Sequence, residues 1–277
     1  MRPSFFIYER ASSIADAIEK LATCSGMAKP IAGGQSLVPM MNLRLARPNN
    51  LVSVRYLPDL LDLTESKKAL KVGAAVTHAQ LEDWIGSDLT RSYLSKVAQG
   101  IAYRAVRNRG TIGGSLCHAD PAADWITSLS AIGAQCHIQG GDGKRQLSVE
   151  EFMVAPFVSV LQPNEILVSI EIPKLSQKAR WAFAKFRLKS GEFAKSICAI
   201  VIDPENKISR VFIGGTDGPP IMLKQTSADL ASGNYESLLK SAQQEIRNSL
   251  PETEDDRLAF HFTMVERALV RLKEFAQ

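Results

Sequence analysis

The sequence predicts an α+β protein, and three observations carry that prediction. A strand–helix–strand run occupies residues 5 to 54. Three β-type runs follow one another between Trp181 and Gly214. Two helical stretches then finish the chain. Strands gathered in runs and followed by helices build layers of this class.

Taken in order, Phe5-Phe6-Ile7-Tyr8 reads as a short strand. Ser13 opens a helix, because Ser13-x-x-Asp16 has capping-box form and Ile14, Ala17, Ile18 and Leu21 share helical spacing. Pro30-Ile31-Ala32 is a short apolar run that enters Gly33-Gly34, and Leu51 to Val54 is a further strand. Ala69 to Ala74 reads as a strand, followed by a helix from Thr77 with Leu81 and Trp84 on one face. Asp120 to Gly133 reads as a helix with Asp120 as N-cap and Pro121 at the first helical position. Strand Ala134–Gln139 runs into a hairpin turn at Gly140 to Lys144. Glu165 to Pro173 alternates apolar and polar residues, as a half-buried strand does.

The polar segment Lys174 to Arg180 marks a domain boundary. Trp181–Lys189, Ser196–Asp203 and Lys207–Gly214 then predict an antiparallel meander, with a turn at Asp203-Pro204-Glu205-Asn206. The closing helices are predicted over Tyr235–Ser249 and Glu254–Phe275.

Bulk properties narrow the function classes. The 277 residues carry a net charge of +4 with no basic run, which gives no footing for nucleic-acid binding. No stretch approaches the roughly 20 apolar residues of a membrane span, and the opening MRPSFFIYERASS lacks signal-peptide form, so a cytoplasmic protein is expected. The four cysteines, Cys24, Cys117, Cys136 and Cys198, form no C-x-x-C motif. That argues against a zinc ribbon or iron–sulfur ligation within the chain, and isolated thiols of this kind are ordinarily small buried apolar groups. No His/Asp/Glu set has metal-ligand spacing, so no metal site is expected.

Two Gly-Gly pairs stand out, in IAGGQSL (Ile31 to Leu37) and in RNRGTIGGSLCHADPAAD (Arg107 to Asp124). Each is either a tight turn or one arm of a cradle in which bare amides approach a phosphate. Ser36, Thr111 and Ser115 add hydroxyls beside them. No G-x-G-x-x-G fingerprint is present, and Gly140 to Lys144 lacks P-loop spacing, so a Rossmann domain is not expected.

AGGQSLVPMMNLRLARP, VRNRGTIGGSLCHADPAADW and LQPNEILVSIEIP, in that order, resemble the flavoprotein (medium) subunits of the molybdenum hydroxylases. This xanthine dehydrogenase family includes the medium chain of aerobic carbon monoxide dehydrogenase. With LKVGAAVTHAQL and the segment at Ala184, the resemblance covers most of residues 3 to 200, and the tail past Asn206 follows more loosely. It implies a vanillyl-alcohol-oxidase (PCMH)-type FAD-binding domain over residues 1–175, of two α/β subdomains at about 1–57 and 58–175. It also implies a C-terminal α+β domain over 176–277, an antiparallel sheet with helices, as in the carbon monoxide dehydrogenase flavoproteins.

By matching position, Ala32, Gly33, Gly34, Gln35 and Ser36 correspond to the family's first pyrophosphate turn, flanked by Ile31 and Leu37. Thr111, Ile112, Gly113, Gly114 and Ser115 correspond to the second. Asp124 matches an acidic cofactor contact, Leu167 an apolar residue beside the flavin, and Lys185 a lysine near its pyrimidine end. Ser115 departs from the Asn or Asp frequent there, and Glu192 stands where Asp is frequent.

The resemblance implies non-covalent FAD and an oxidoreductase role as electron carrier. The partners it implies are a large molybdopterin subunit and a small subunit with [2Fe-2S] clusters, in a heterotrimer that is single or doubled. Electrons would pass from the clusters to FAD and on to oxygen, NAD or another acceptor. The alternatives are a stand-alone flavin oxidoreductase acting on its own small substrate, and a scaffold that has lost its cofactor.

Other residues admit two readings each. His118 packs structurally or lends the cofactor a hydrogen bond, and His78 starts a helix or acts as a ligand. Arg104, Arg107 and Arg109 are a solvated cluster or a rim for anions or a partner. Trp125 is read as core, and Tyr103 as core or a group stacked near the flavin.

Overall fold

The structure, a computed structural model, describes residues 2–84, 89–235 and 237–274. Strand β1 (Ile7–Arg10), helix α1 (Ile14–Thr23), strand β2 (Ala28–Ile31), the short helix α2 (Leu37–Asn42) and strand β3 (Asn50–Ser53) make the first unit. Its strands run parallel in the order β1-β3-β2. Helix α1 turns Ile14, Ala17, Ile18 and Leu21 onto Val52 and Val54, and burying each larger side chain contributes about 2 kcal/mol. The Ser13 hydroxyl accepts from the Asp16 amide as expected, but the Asp16 carboxylate reaches back to Ser12 rather than to Ser13. Phe5 and Phe6 precede β1, which pairs with β3 only from Ile7 onward.

The second unit begins with helix α3 (Pro58–Leu61), strands β4 (Leu63–Glu65) and β5 (Ala69–Gly73), and helices α4 (His78–Glu82), α5 (Tyr93–Gly100), α6 (Arg104–Arg107), α7 (Ile112–His118) and α8 (Asp124–Ile132). Strands β6 (Gln135–Gly140), β7 (Gly143–Ser148), β8 (Met153–Ala155), β9 (Val158–Ser159) and β10 (Ile166–Pro173) complete it. The main sheet has the order β4-β5-β10-β6-β7, with antiparallel neighbours throughout. Strand β10 is central and more buried than its alternation predicts. Ile166 joins the core of the first unit and Leu167 that of the second, and a bulge between Leu167 and Ser169 shifts the period of two so that Ile170 and Ile172 share the core of Leu167.

Two local expectations are corrected. Thr111 to Ser115 is a helix start rather than a free turn, with Thr111 as N-cap of α7. Helix α8 begins at Asp124 after N-cap Ala123, not at Asp120. Asp120 instead closes a tight turn, its carboxylate accepting from the Ala122 amide and its carbonyl from Ala123. Trp84 falls just past α4.

Strands β11 (Arg180–Phe186), β12 (Ser196–Asp203), β13 (Ile208–Gly214) and β14 (Ile221–Met222) form the expected antiparallel meander with one added edge strand. The Asp203 carboxylate holds the turn by accepting from Asn206 and from Ser176. Helices α9 (Lys224–Ser232), α10 (Leu238–Ser249) and α11 (Asp255–Glu274) cover one face of that sheet. Glu236, within the first predicted closing helix, and Phe275, the predicted end of the second, lie outside the described residues. The other face of the sheet packs on α8, so one apolar core holds Trp125, Ile126 and Leu129 together with Phe183, Ile197 and Phe212. No helix among the described residues is long and apolar enough to cross a membrane.

Candidate functional site

The two glycine pairs, far apart in sequence, lie against each other. A Cβ added to Gly33 would sit 2.1 Å from the Arg109 carbonyl oxygen and 2.9 Å from the Gly110 Cα. The first arm leaves the carboxyl end of β2, where Gly34 takes φ +71°, a left-handed conformation that suits glycine. Ser36 precedes α2 without capping it. Among the described residues no acceptor meets the amides of Gly33, Gly34, Gln35 or Ser36. Gln35 folds back, its amide nitrogen donating to the Gly33 carbonyl at 3.3 Å. Successive bare amides at the end of parallel strands form an anion cradle.

The second arm behaves differently. Its amides are spent within the protein. Ile112 donates to Val76, Gly113 to Ala74, Gly114 to the Thr111 hydroxyl and Ser115 to the Thr111 carbonyl, all at 2.9 to 3.0 Å. Gly113 presses on Ala74, where an added Cβ would lie 2.6 Å from the carbonyl oxygen. The arm therefore presents the Thr111 amide, which meets no acceptor among the described residues, and the partly buried Ser115 hydroxyl.

His78 buttresses this arm. Its amide donates to the Gly110 carbonyl at 2.9 Å, and its Nδ1 accepts from Trp125 Nε1 at 3.0 Å. Burial, with the nearby Arg107 charge second, pushes the His78 imidazole down to about 4, so it is neutral at pH 7. Trp125 is wholly buried, as expected of a core residue, and His78 proves to be both a helix-start residue and a buried acceptor.

Asp124 and Lys185 meet each other. Lys185 Nζ donates to Asp124 Oδ1 at 2.6 Å and to the Gly100 carbonyl at 2.8 Å, and both side chains are about 10% exposed. Arg187 donates to the same carbonyl at 3.0 Å. Leu167 is buried in the same core as Ile112 of the second arm and stands opposite Ile138 in the sheet.

The arginine cluster divides. Arg107 is clamped by Glu82 and by the carbonyls of Ile101 and Ala102, and it draws the Glu82 carboxyl down. Arg104 pairs with Glu82 and Asp83. Arg109 alone of the three is exposed with no partner among the described residues, so the cluster is largely a neutralised network. Sequence reasoning missed these carboxylates because Glu82 and Asp83 lie at the end of α4, with α5 between them and the arginines.

Of the remaining candidates, Tyr103 is exposed and donates to the Ser190 carbonyl at 2.6 Å, with its ring over Gly191. The His118 ring lies tilted against that of Phe157, with centroids 5.2 Å apart. Burial pushes the Cys117 thiol up to about 12, which keeps it protonated. Among the described residues no group of His, Cys, Asp or Glu is arranged to hold a metal.

The chain is 38% identical over 215 residues to the 6-hydroxypseudooxynicotine dehydrogenase complex subunit alpha of Paenarthrobacter nicotinovorans, covering 77% of this chain and 73% of that protein. It is 32% identical over 229 residues to the carbon monoxide dehydrogenase medium chain of Hydrogenophaga pseudoflava, covering 81% and 79%. A solved structure of reconstituted CO dehydrogenase from Oligotropha carboxidovorans superposes with a TM-score of 0.92 at 26% identity, over 99% of this chain and 100% of that one. Quinoline 2-oxidoreductase from Pseudomonas putida 86 superposes at 0.85 and 27% identity, over 99% of both chains. Residues 3–175 match the family of the FAD binding domain in molybdopterin dehydrogenase, and the chain belongs to that family.

Proposed function

We propose that this chain is the FAD-carrying electron-transfer subunit of a heteromeric molybdenum-containing dehydrogenase. Its partners are a large molybdopterin subunit and a small [2Fe-2S] subunit. The observation that carries the reading is the first arm, four acceptor-free amides at the carboxyl end of parallel strands, abutting the second arm. These residues fit a dinucleotide diphosphate. The amides of Gly33 to Ser36, with the Thr111 amide and the Ser115 hydroxyl of the second arm, would hold the diphosphate. Bound FAD supplies a redox centre that exchanges electrons singly or in pairs.

The protein supplies position and field. The Asp124–Lys185 pair sets a fixed dipole at the wall between α8 and β11, with Gly100 and Arg187 completing it. His78 holds the second arm while staying neutral, and so adds no charge there. A stand-alone oxidoreductase requires a poised acid or base. Here His78 is engaged by Trp125, the Cys117 thiol is protonated, and Asp124 and Lys185 neutralise each other.

The test uses the purified complex. Acid extraction is expected to release FAD in proportion to this chain, and rapid flavin reduction by substrate is expected only with the partner subunits present. A complex that yields no flavin overturns the reading. Rapid reduction of the isolated chain by a small substrate favours the stand-alone enzyme.

A further inference from the structure

Strands β1, β3 and β2 run parallel, so the first arm leaves one end of their sheet and the segments that enter the strands gather at the other. Phe5 precedes β1 and Met27 precedes β2, both exposed. The segment 43–49 precedes β3, with Leu43 and Leu45 exposed on either side of Arg44. Backbone carbonyls tie these segments side by side. The Ile7 amide donates to the Asn49 carbonyl at 2.9 Å, the Asn49 amide to the Met27 carbonyl at 2.8 Å, and Arg44 Nε to the Arg2 carbonyl at 3.4 Å. Phe5 is 88% exposed and Leu45 73%, and large apolar groups gathered so openly mark a binding surface. The loop is also held in shape. Arg44 takes φ +60°, which costs a residue with a Cβ about 1–2 kcal/mol, and the Arg44 and Leu45 amides are fixed on the Met41 and Met40 carbonyls.

Charge decides what covers this end. The chain has no Asp or Glu before Glu9 and none from residue 20 to residue 58. Arg2, Arg44 and Arg47 are exposed here, and among the described residues none of them meets a carboxylate. Arg47 Nε donates to the Arg44 carbonyl at 3.1 Å, so both guanidinium groups are anchored through Nε and present their forks outward for pairing. Phe, Met and Arg side chains without carboxylates are the composition of a protein interface. A two-fold contact between copies of this chain would set the arginines against their own images, which is repulsive.

We infer that this end of the β1-β3-β2 sheet is the docking surface for a partner subunit of the complex, whose face is apolar at its centre and carries carboxylates around it. The inference rests on the reading of the chain as a subunit of a heteromeric dehydrogenase. Phe5, Met27 and Leu45 fill the apolar centre, and the arginine forks pair with the partner's carboxylates.

The experiment measures association of the full-length chain with the purified molybdopterin and [2Fe-2S] subunits, singly and together, at several salt concentrations. Leu45→Asp is expected to weaken association at least about tenfold, as a charge placed in an apolar interface centre does. Arg44→Glu with Arg47→Glu is expected to weaken it by a similar factor and to reverse its salt dependence, since like charges then face each other. The isolated variants are expected to keep the parent's thermal midpoint, because the replaced side chains are exposed. Parent affinity in either variant overturns the inference, as does loss of fold in both, which makes the residues structural. A dimer of the isolated parent that either variant abolishes assigns the surface to a second copy, and binding to anionic phospholipid vesicles lost in the same variants assigns it to a membrane. Either result overturns the inference. If the parent associates with neither subunit, the subunit reading itself fails.

Discussion

Gly33 lacks a side chain because its Cα faces the Arg109 carbonyl, not because a ligand must fit there. An added methyl group at 2.1 Å from that oxygen forces the two arms apart. Gly33→Ala is therefore expected to cost at least tenfold in FAD retention and to lower the apo thermal midpoint as well, read by flavin absorbance per chain and by calorimetry. Gly34→Ala meets side chains rather than backbone, Val38 at 3.2 Å and Ile31 at 3.5 Å, but keeps a left-handed φ, so a smaller loss of about 1–2 kcal/mol is expected. His78 and His261 give a pH prediction. Burial pushes both down to about 4 from an ordinary 6.5, so near pH 5 the unfolded chain binds more protons than the folded one. Stability is then complete above pH 6.5, falls progressively toward pH 4, and loses about 3 kcal/mol for each histidine. Denaturant midpoints between pH 4 and 7 check this, and replacing His78 by Gln is expected to remove part of the slope.

Helix α7 shows how an element can stand behind a motif. The Thr111 hydroxyl accepts from the Gly114 amide as an N-cap, while the strand-like contact of Thr77 with Thr111 ties the helix start to α4. Thr111→Val removes the cap and is expected to cost about 1 kcal/mol, with Thr111→Ser nearly neutral, measured as chemical stability of the apo chain. The Gly-Gly pair and its hydroxyls were legible in the sequence. Their helical state was not, because two glycines have low helix propensity and only the cap, with the bonds to Ala74 and Val76, holds them there. Asp120 misled for the opposite reason. Its side chain suits an N-cap, but the Pro121 carbonyl accepts from the distant Gly215 amide, and the chain turns once more before α8 begins.

Across the whole molecule, the ion pair of Asp124 with Lys185 joins the FAD-binding family region to the β11–β14 sheet. Lys185→Met leaves a buried carboxylate unpaired and is expected to destabilise by about 3–5 kcal/mol. The double change with Asp124→Leu is expected to recover most of it. The same boundary is spanned by a shared core, in which Trp125 and Leu129 pack with Phe183 and Phe212. Residues 1–175 expressed alone would expose that surface, so a soluble, cooperatively folding fragment is not expected, and limited solubility with dye binding to apolar surface is the measurement. The sequence by itself determined the element types with strong periodicity, the opening β-α-β unit, the meander and the two glycine pairs. Those features rest on local spacing, capping chemistry and backbone freedom. Only the tertiary structure decided that the first arm keeps its amides free while the second spends them, that Asp124 and Lys185 hold each other, and that the arginines are mostly neutralised. Each of these depends on partners brought in from distant segments, and packing rather than local spacing places them.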